Sequence, residues 1–133
     1  MIKENSILIN PTNKMTSFLY IIILIFSCKT DVHLPDPLEA GWKNNKVCEV
    51  LVDNEKVRTL KCTFPPGVGH DKHYHKPHFG YALVGGKFKI KEANETREVS
   101  FPTGYSWSKD EVSEHQVLNT GDSTAVFLII EYK

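Results

Sequence analysis

From residue 47 to the C-terminus no apolar pattern recurs at helical spacing for long enough to build a helix, and this constrains the fold more than any other feature. Apolar residues come instead in short runs broken by Gly, Pro, Asn and Asp. Strands are predicted near Cys48 to Val52, Val57 to Phe64, His73 to His75, Tyr81 to Val84, Lys87 to Lys91, Arg97 to Phe101, Ser106 to Ser108, His115 to Leu118 and Thr124 to Tyr132. In Lys87-Phe88-Lys89-Ile90-Lys91 the lysines alternate with apolar residues, so one face meets water and the other a core. Ala125 to Ile130 is apolar on both faces and should be a central, covered strand. Many short strands with turn residues between them predict an all-β sandwich or barrel, a single-domain jelly roll.

The first part of the chain differs in character. Phe18 to Phe26 is an unbroken apolar run that ends in Ser27-Cys28-Lys29. It is too short to cross a hydrocarbon core about 30 Å thick as a helix, and it fits the apolar region of a secretory signal better. Ile25-Phe26-Ser27-Cys28 is similar to the lipobox of bacterial lipoproteins, in which the cysteine is lipidated, although Phe26 is bulky and the leader weakly basic. An ordinary signal peptide, an uncleaved anchor and a buried strand are the other readings, and Met15 is an alternative start. The expected organisation is a leader at 1–28, a linker and lead-in segment at 29–46, and the β-domain at 47–133. The expected location is outside the cytosol, periplasmic or on the cell envelope, with membrane attachment only through the leader or a lipid on Cys28.

Export bears on Cys48 and Cys62. A hairpin turning at Asp53-Asn54-Glu55-Lys56 sets them opposite each other, where outside the cytosol they can pair. Directly opposed strand residues make constrained disulfides, so two buried free thiols are the preferred expectation.

Lys+Arg and Asp+Glu are 16 each, a formal net charge of zero. With no basic excess or stripe, a nucleic-acid partner is not expected, and a small-molecule or protein partner is. No Ser-His-Asp arrangement, phosphate-binding glycine loop or cysteine nucleophile motif appears, so no catalytic side chain is assigned.

Chemistry is instead concentrated in imidazoles. His73, His75 and His78 fall within six residues, and His115 lies far downstream. In a strand His73 and His75 share a face and can grip one ion, while Lys76-Pro77 can bend the chain and re-aim His78 at the same point. Scattered surface histidines are the alternative. Lys76 and Glu114 should point away from their histidine neighbours, and Phe79, Tyr81, Tyr105 and Trp107 line either a pocket or plain core.

From Gly67 to Asn119 the chain resembles the cupin superfamily of small metal-holding β-barrels. Gly67, five residues, and His73-x-His75 match the start of that family's first motif, which Gly85 closes. With six residues left between it and Gly85, the motif's glutamate position falls on His78. Gly104, His115 and Asn119 match the second motif, but Asp110 and Val112 stand where it has proline and glycine. Gly67, Gly85, Gly86 and Gly104 are explained by turns that need positive φ. The resemblance implies metal ligation by His73, His75 and His115, with His78 as a fourth imidazole in place of a carboxylate. Exchanging carboxylate for imidazole leaves a divalent ion its full formal charge and makes it a stronger Lewis acid. Imidazole suits Fe, Mn, Ni, Cu or Zn and disfavours Ca and Mg. The resemblance also implies a homodimer.

Three functions follow as expectations. The first is a metal-dependent, dioxygenase-like enzyme acting on a small chelating molecule, with isomerase or lyase chemistry nearby. A non-catalytic module that binds a sugar or anion at the membrane is the second. In the third the metal only staples the barrel in a partner-binding protein.

Overall fold

The computed structural model describes residues 33–133. The leader and Cys28 lie outside the described residues. Two antiparallel sheets carry nine strands: β1 Cys48–Asp53, β2 Val57–Phe64, β3 Gly69–His75, β4 His78–Val84, β5 Gly86–Glu92, β6 Glu95–Phe101, β7 Ser106–Lys109, β8 Ser113–Asn119 and β9 Ala125–Tyr132. One sheet runs β1-β2-β9-β4-β7 and the other β3-β8-β5-β6. As its two-sided apolar pattern requires, β9 is central, paired with β2 and β4. Phe88 and Ile90 of β5 turn inward while its lysines face water.

Leu60, Phe64, Phe88, Phe127 and Ile129 are buried between the sheets. Phe64, Phe88 and Phe127 meet edge-on, with ring centroids 5.3 to 6.0 Å apart, the arrangement their quadrupoles favour. Asn119 pins the turn between β8 and β9: its amide donates to the carbonyls of Phe64 (2.8 Å) and Ser123 (2.9 Å), and its oxygen accepts from Gly121 N (2.9 Å).

Residues 33–46 are docked, not loose. Asp36 caps a single helical turn, α1 Pro37–Ala40, with a capping box to Glu39 and proline in the first turn. The segment adds backbone bonds to β3, from Asp71 N to Gly41 O (2.8 Å) and from Tyr74 N to Pro35 O (3.1 Å).

Cys48 and Cys62 are joined as a disulfide, which corrects the expectation of free thiols. The register reading itself holds, since the two residues are directly opposed on β1 and β2. Thr63 N donates to Val47 O, which makes that neighbouring pair the hydrogen-bonded one. Cys48 and Cys62 therefore occupy the closer, non-hydrogen-bonded position, with Cα atoms 4.0 Å apart. Val50 and Val52 are exposed on β1, an edge strand with a bulge at Leu51.

The glycines divide into two kinds. Gly67 and Gly104 adopt positive φ, as their turns require. Gly85 and Gly86 do not, which corrects the expectation of positive φ there; they are needed because a Cβ would lie 2.1 Å from the Phe101 carbonyl oxygen at Gly85 and 2.8 Å from Ala125 Cβ at Gly86.

Candidate metal centre

His73 and His75 leave β3 on its inner face, and His115 on β8 is the direct cross-strand partner of His73. Each of the three offers a ring nitrogen, and these atoms all lie within 4.8 Å of one another. Together they could hold a metal ion.

The donor set is organised for that task by its other hydrogen bonds. His73 Nδ1 lies 2.6 Å from the carbonyl oxygen of Asp71, and His75 Nδ1 lies 3.2 Å from Glu131 Oε1. Both partners are acceptors, so both Nδ1 atoms carry the proton and both Nε2 atoms present lone pairs. Those two Nε2 atoms face each other at 2.9 Å. Two bare lone pairs at that distance repel, and a shared cation removes the conflict. Nitrogens about 2.1 Å from one ion at a right angle sit about 3.0 Å apart, so the observed spacing fits.

Burial keeps the ligands neutral. It lowers the pKa of His73, and it carries His75 and His115 well below the usual imidazole range, helped by the neighbouring imidazoles. Neutral imidazoles bind an ion without first losing a proton.

His78, the fourth predicted ligand, stands beside this group and not in it. Its ring centroid is 4.9 Å from that of His75, but it comes from β4 in the opposite sheet. Its Nδ1 donates to the Lys76 carbonyl (2.8 Å), and its Nε2 accepts from the Trp107 indole N–H (3.4 Å).

His70 was missed by sequence reasoning. A bulge in β3 between His70 and His73 leaves Asp71 and Lys72 both exposed and returns His70 to the inner face, where an unbroken strand would have pointed it out. Its ring stacks on His73 with centroids 3.8 Å apart, and its Nε2 donates to the Pro37 carbonyl (2.9 Å). Burial pushes its pKa down to about 3. Only the adjacent polar pair Asp71-Lys72 hinted at the bulge. Glu131 is 1% exposed and meets both His75 and Arg58.

The histidines line a cavity of about 260 Å³. Its walls are aromatic and aliphatic, with Phe88, Phe101, Phe127 and Trp107 prominent, and Arg97 and Lys109 among its charged residues. Of the aromatic candidates, Tyr105 and Trp107 line it, while Phe79 and Tyr81 lie elsewhere. Lys76 and Glu114 are exposed, as expected. The cavity's carboxylate, Glu92, is paired with Arg97 at 3.3 Å.

No protein-family model matches the chain, and no curated protein matches it. Solved structures do. A cupin domain from Bordetella pertussis is 28% identical, with 65% of this chain and 92% of that one covered and a TM-score of 0.62. An RmlC-like cupin with a double-stranded β-helix fold from Methanocaldococcus jannaschii is 16% identical, over 68% of this chain and 84% of that one, with a TM-score of 0.53. These neighbours support the cupin superfamily, and the fold is its all-β, single-domain jelly-roll barrel.

Proposed function

We propose that the protein is an exported, metal-dependent cupin that binds a small chelating molecule in its barrel and oxidises it with dioxygen. The observation that carries this reading is the pair of Nε2 lone pairs of His73 and His75, 2.9 Å apart and opening on an apolar cavity. His73, His75 and His115 would hold the ion. A divalent transition ion supplies Lewis acidity and open positions for oxygen donors. Trp107, Phe101 and Phe127 would exclude water and receive the ligand's apolar body. At about 260 Å³ the cavity is smaller than the usual range for drug-sized ligands, so the ligand is compact. The Cys48–Cys62 disulfide supports export, since such bonds persist in oxidising compartments.

One observation favours a second reading, a binding module without catalysis. The cavity holds no carboxylate free to act as a base, because Glu92 is tied to Arg97. Elemental analysis of protein purified without added metal, followed by oxygen uptake in the presence of candidate chelating acids, separates the two. The parent should carry a transition ion, His73→Ala should lose it, and His78→Ala should keep most of it. Equal metal in His73→Ala and parent would remove the site assignment. Metal and ligand binding without oxygen uptake would select the binding module.

A further inference from the structure

We propose that Glu131 is a positioning residue for the metal centre: it sets the His75 tautomer that frees Nε2, and Arg58 dictates which carboxylate oxygen does so. Glu131 sits on β9 directly between Arg58 of β2 and His78 of β4. Arg58 places both Nε (2.8 Å) and Nη2 (2.6 Å) on Glu131 Oε2. Its remaining arm, Nη1, donates to Asp36 Oδ2 at 2.7 Å. A guanidinium only donates, so Oε2 is committed and Oε1 is left to accept from His75 Nδ1 across the barrel, at 3.2 Å. Second partners of this kind hold ligating imidazoles in one tautomer and one orientation. The inference rests on the metal reading above for its metal arm, and on the geometry alone for its tautomer arm.

The chain Asp36–Arg58–Glu131 could instead serve only to tie residues 33–46 to the barrel. Glu131→Gln distinguishes the two roles, because it keeps the shape and changes one acceptor into a donor. Arg58 would capture the amide oxygen and turn the amide N–H₂ toward His75. His75 Nδ1 must then accept, and its proton moves to Nε2, the nitrogen needed for the ion. Adding Arg58→Met frees the amide to rotate and present its oxygen to Nδ1 again. A purely structural role predicts that the double variant is no better than the single one.

The experiment uses ¹⁵N-histidine NMR of the metal-free full chain to read tautomers, and Co(II) titration followed by visible absorption to read affinity. The parent should show His75 protonated on Nδ1. Glu131→Gln should show it on Nε2 and bind Co(II) ten- to a hundredfold more weakly. Glu131→Gln with Arg58→Met should return the proton to Nδ1 and regain affinity. An Nε2–H tautomer in the parent, an unchanged tautomer in Glu131→Gln, or a folded double variant that recovers nothing would each overturn the inference. If the tautomers behave as stated while the parent binds no Co(II), the metal reading fails and the positioning of the His75 ring by Glu131 stands.

Discussion

Gly80→Ala should damage the barrel through a single collision. Gly80 lies on β4 opposite Trp107 of β7, and a Cβ at this position would sit 2.2 Å from Cε2 and Cζ2 of the indole and 2.6 Å from Cη2. Carbon atoms rest about 3.5 to 4.0 Å apart, so the ring must retreat by roughly 1.5 Å. Trp107 stacks on Phe101 and Tyr105 with centroids 5.9 and 6.0 Å away, so the retreat either breaks that stacking or drives the indole into the cavity. Overpacking of this kind costs about 1 to 3 kcal/mol. For a domain of this size each kcal/mol lowers Tm by about 4 to 8 °C, so a fall of roughly 5 to 20 °C is expected in thermal unfolding followed by circular dichroism. The backbone at Gly80 does not adopt positive φ, so alanine meets no conformational penalty there. In a Trp107→Ala background the same change should therefore cost nothing, or stabilise by up to about 1 kcal/mol, as replacing a strand glycine does. An equal loss in both backgrounds would show that the indole contact is not the cause.

Two other perturbations follow from the same structure. Reducing the Cys48–Cys62 bond opens a loop of sequence separation 14, which should cost about 3 kcal/mol; denaturant melts with and without a dithiol measure it, and no shift would mean the thiols are unpaired in solution. Asp36→Ala removes the α1 cap and an Arg58 partner, and should cost about 1 to 2 kcal/mol at neutral pH. Desolvation raises the Asp36 pKa, but the Arg58 bond and the Leu38 and Glu39 backbone N–H groups outweigh it and leave the carboxyl below its usual value of 3.8. Its stabilisation is therefore present above the usual value and lost as pH falls through the lowered one, so parent and variant melts should converge in acid; a gap that does not shrink as pH falls below 3.8 would rule out the charge as its source.

Periodicity made the strands legible. Lysine and apolar residues alternate visibly in β5, and β9 is apolar on both faces, so a local pattern carried each strand's orientation and burial. Spacing likewise disclosed His73 and His75, because two residues apart on a strand means the same face. What sequence could not disclose depends on strand order. Glu131 reads as an acidic residue near the C-terminus until β9 is placed between β2 and β4, and only that register brings Arg58 and His78 to its sides. The inward turn of His70 depends on a bulge, and bulges carry almost no local signature when no glycine marks them. Cys48 and Cys62 show a third kind of limit: their opposition was readable from the hairpin, but the hydrogen-bonding phase of the pair, which decides how closely opposed Cα atoms approach, was not.

Trp107 donates to His78 and forms part of the cavity wall, whereas Trp42, the chain's other tryptophan, packs outside the cavity against Gly69. The protein thus carries an optical probe inside its own site and a reference indole away from it. Transition ions at the histidines would quench Trp107 emission, and an apolar ligand would shift its wavelength by displacing water. A Trp42→Phe variant would make that emission a direct readout of occupancy, so candidate metals and ligands can be screened before any reaction is known.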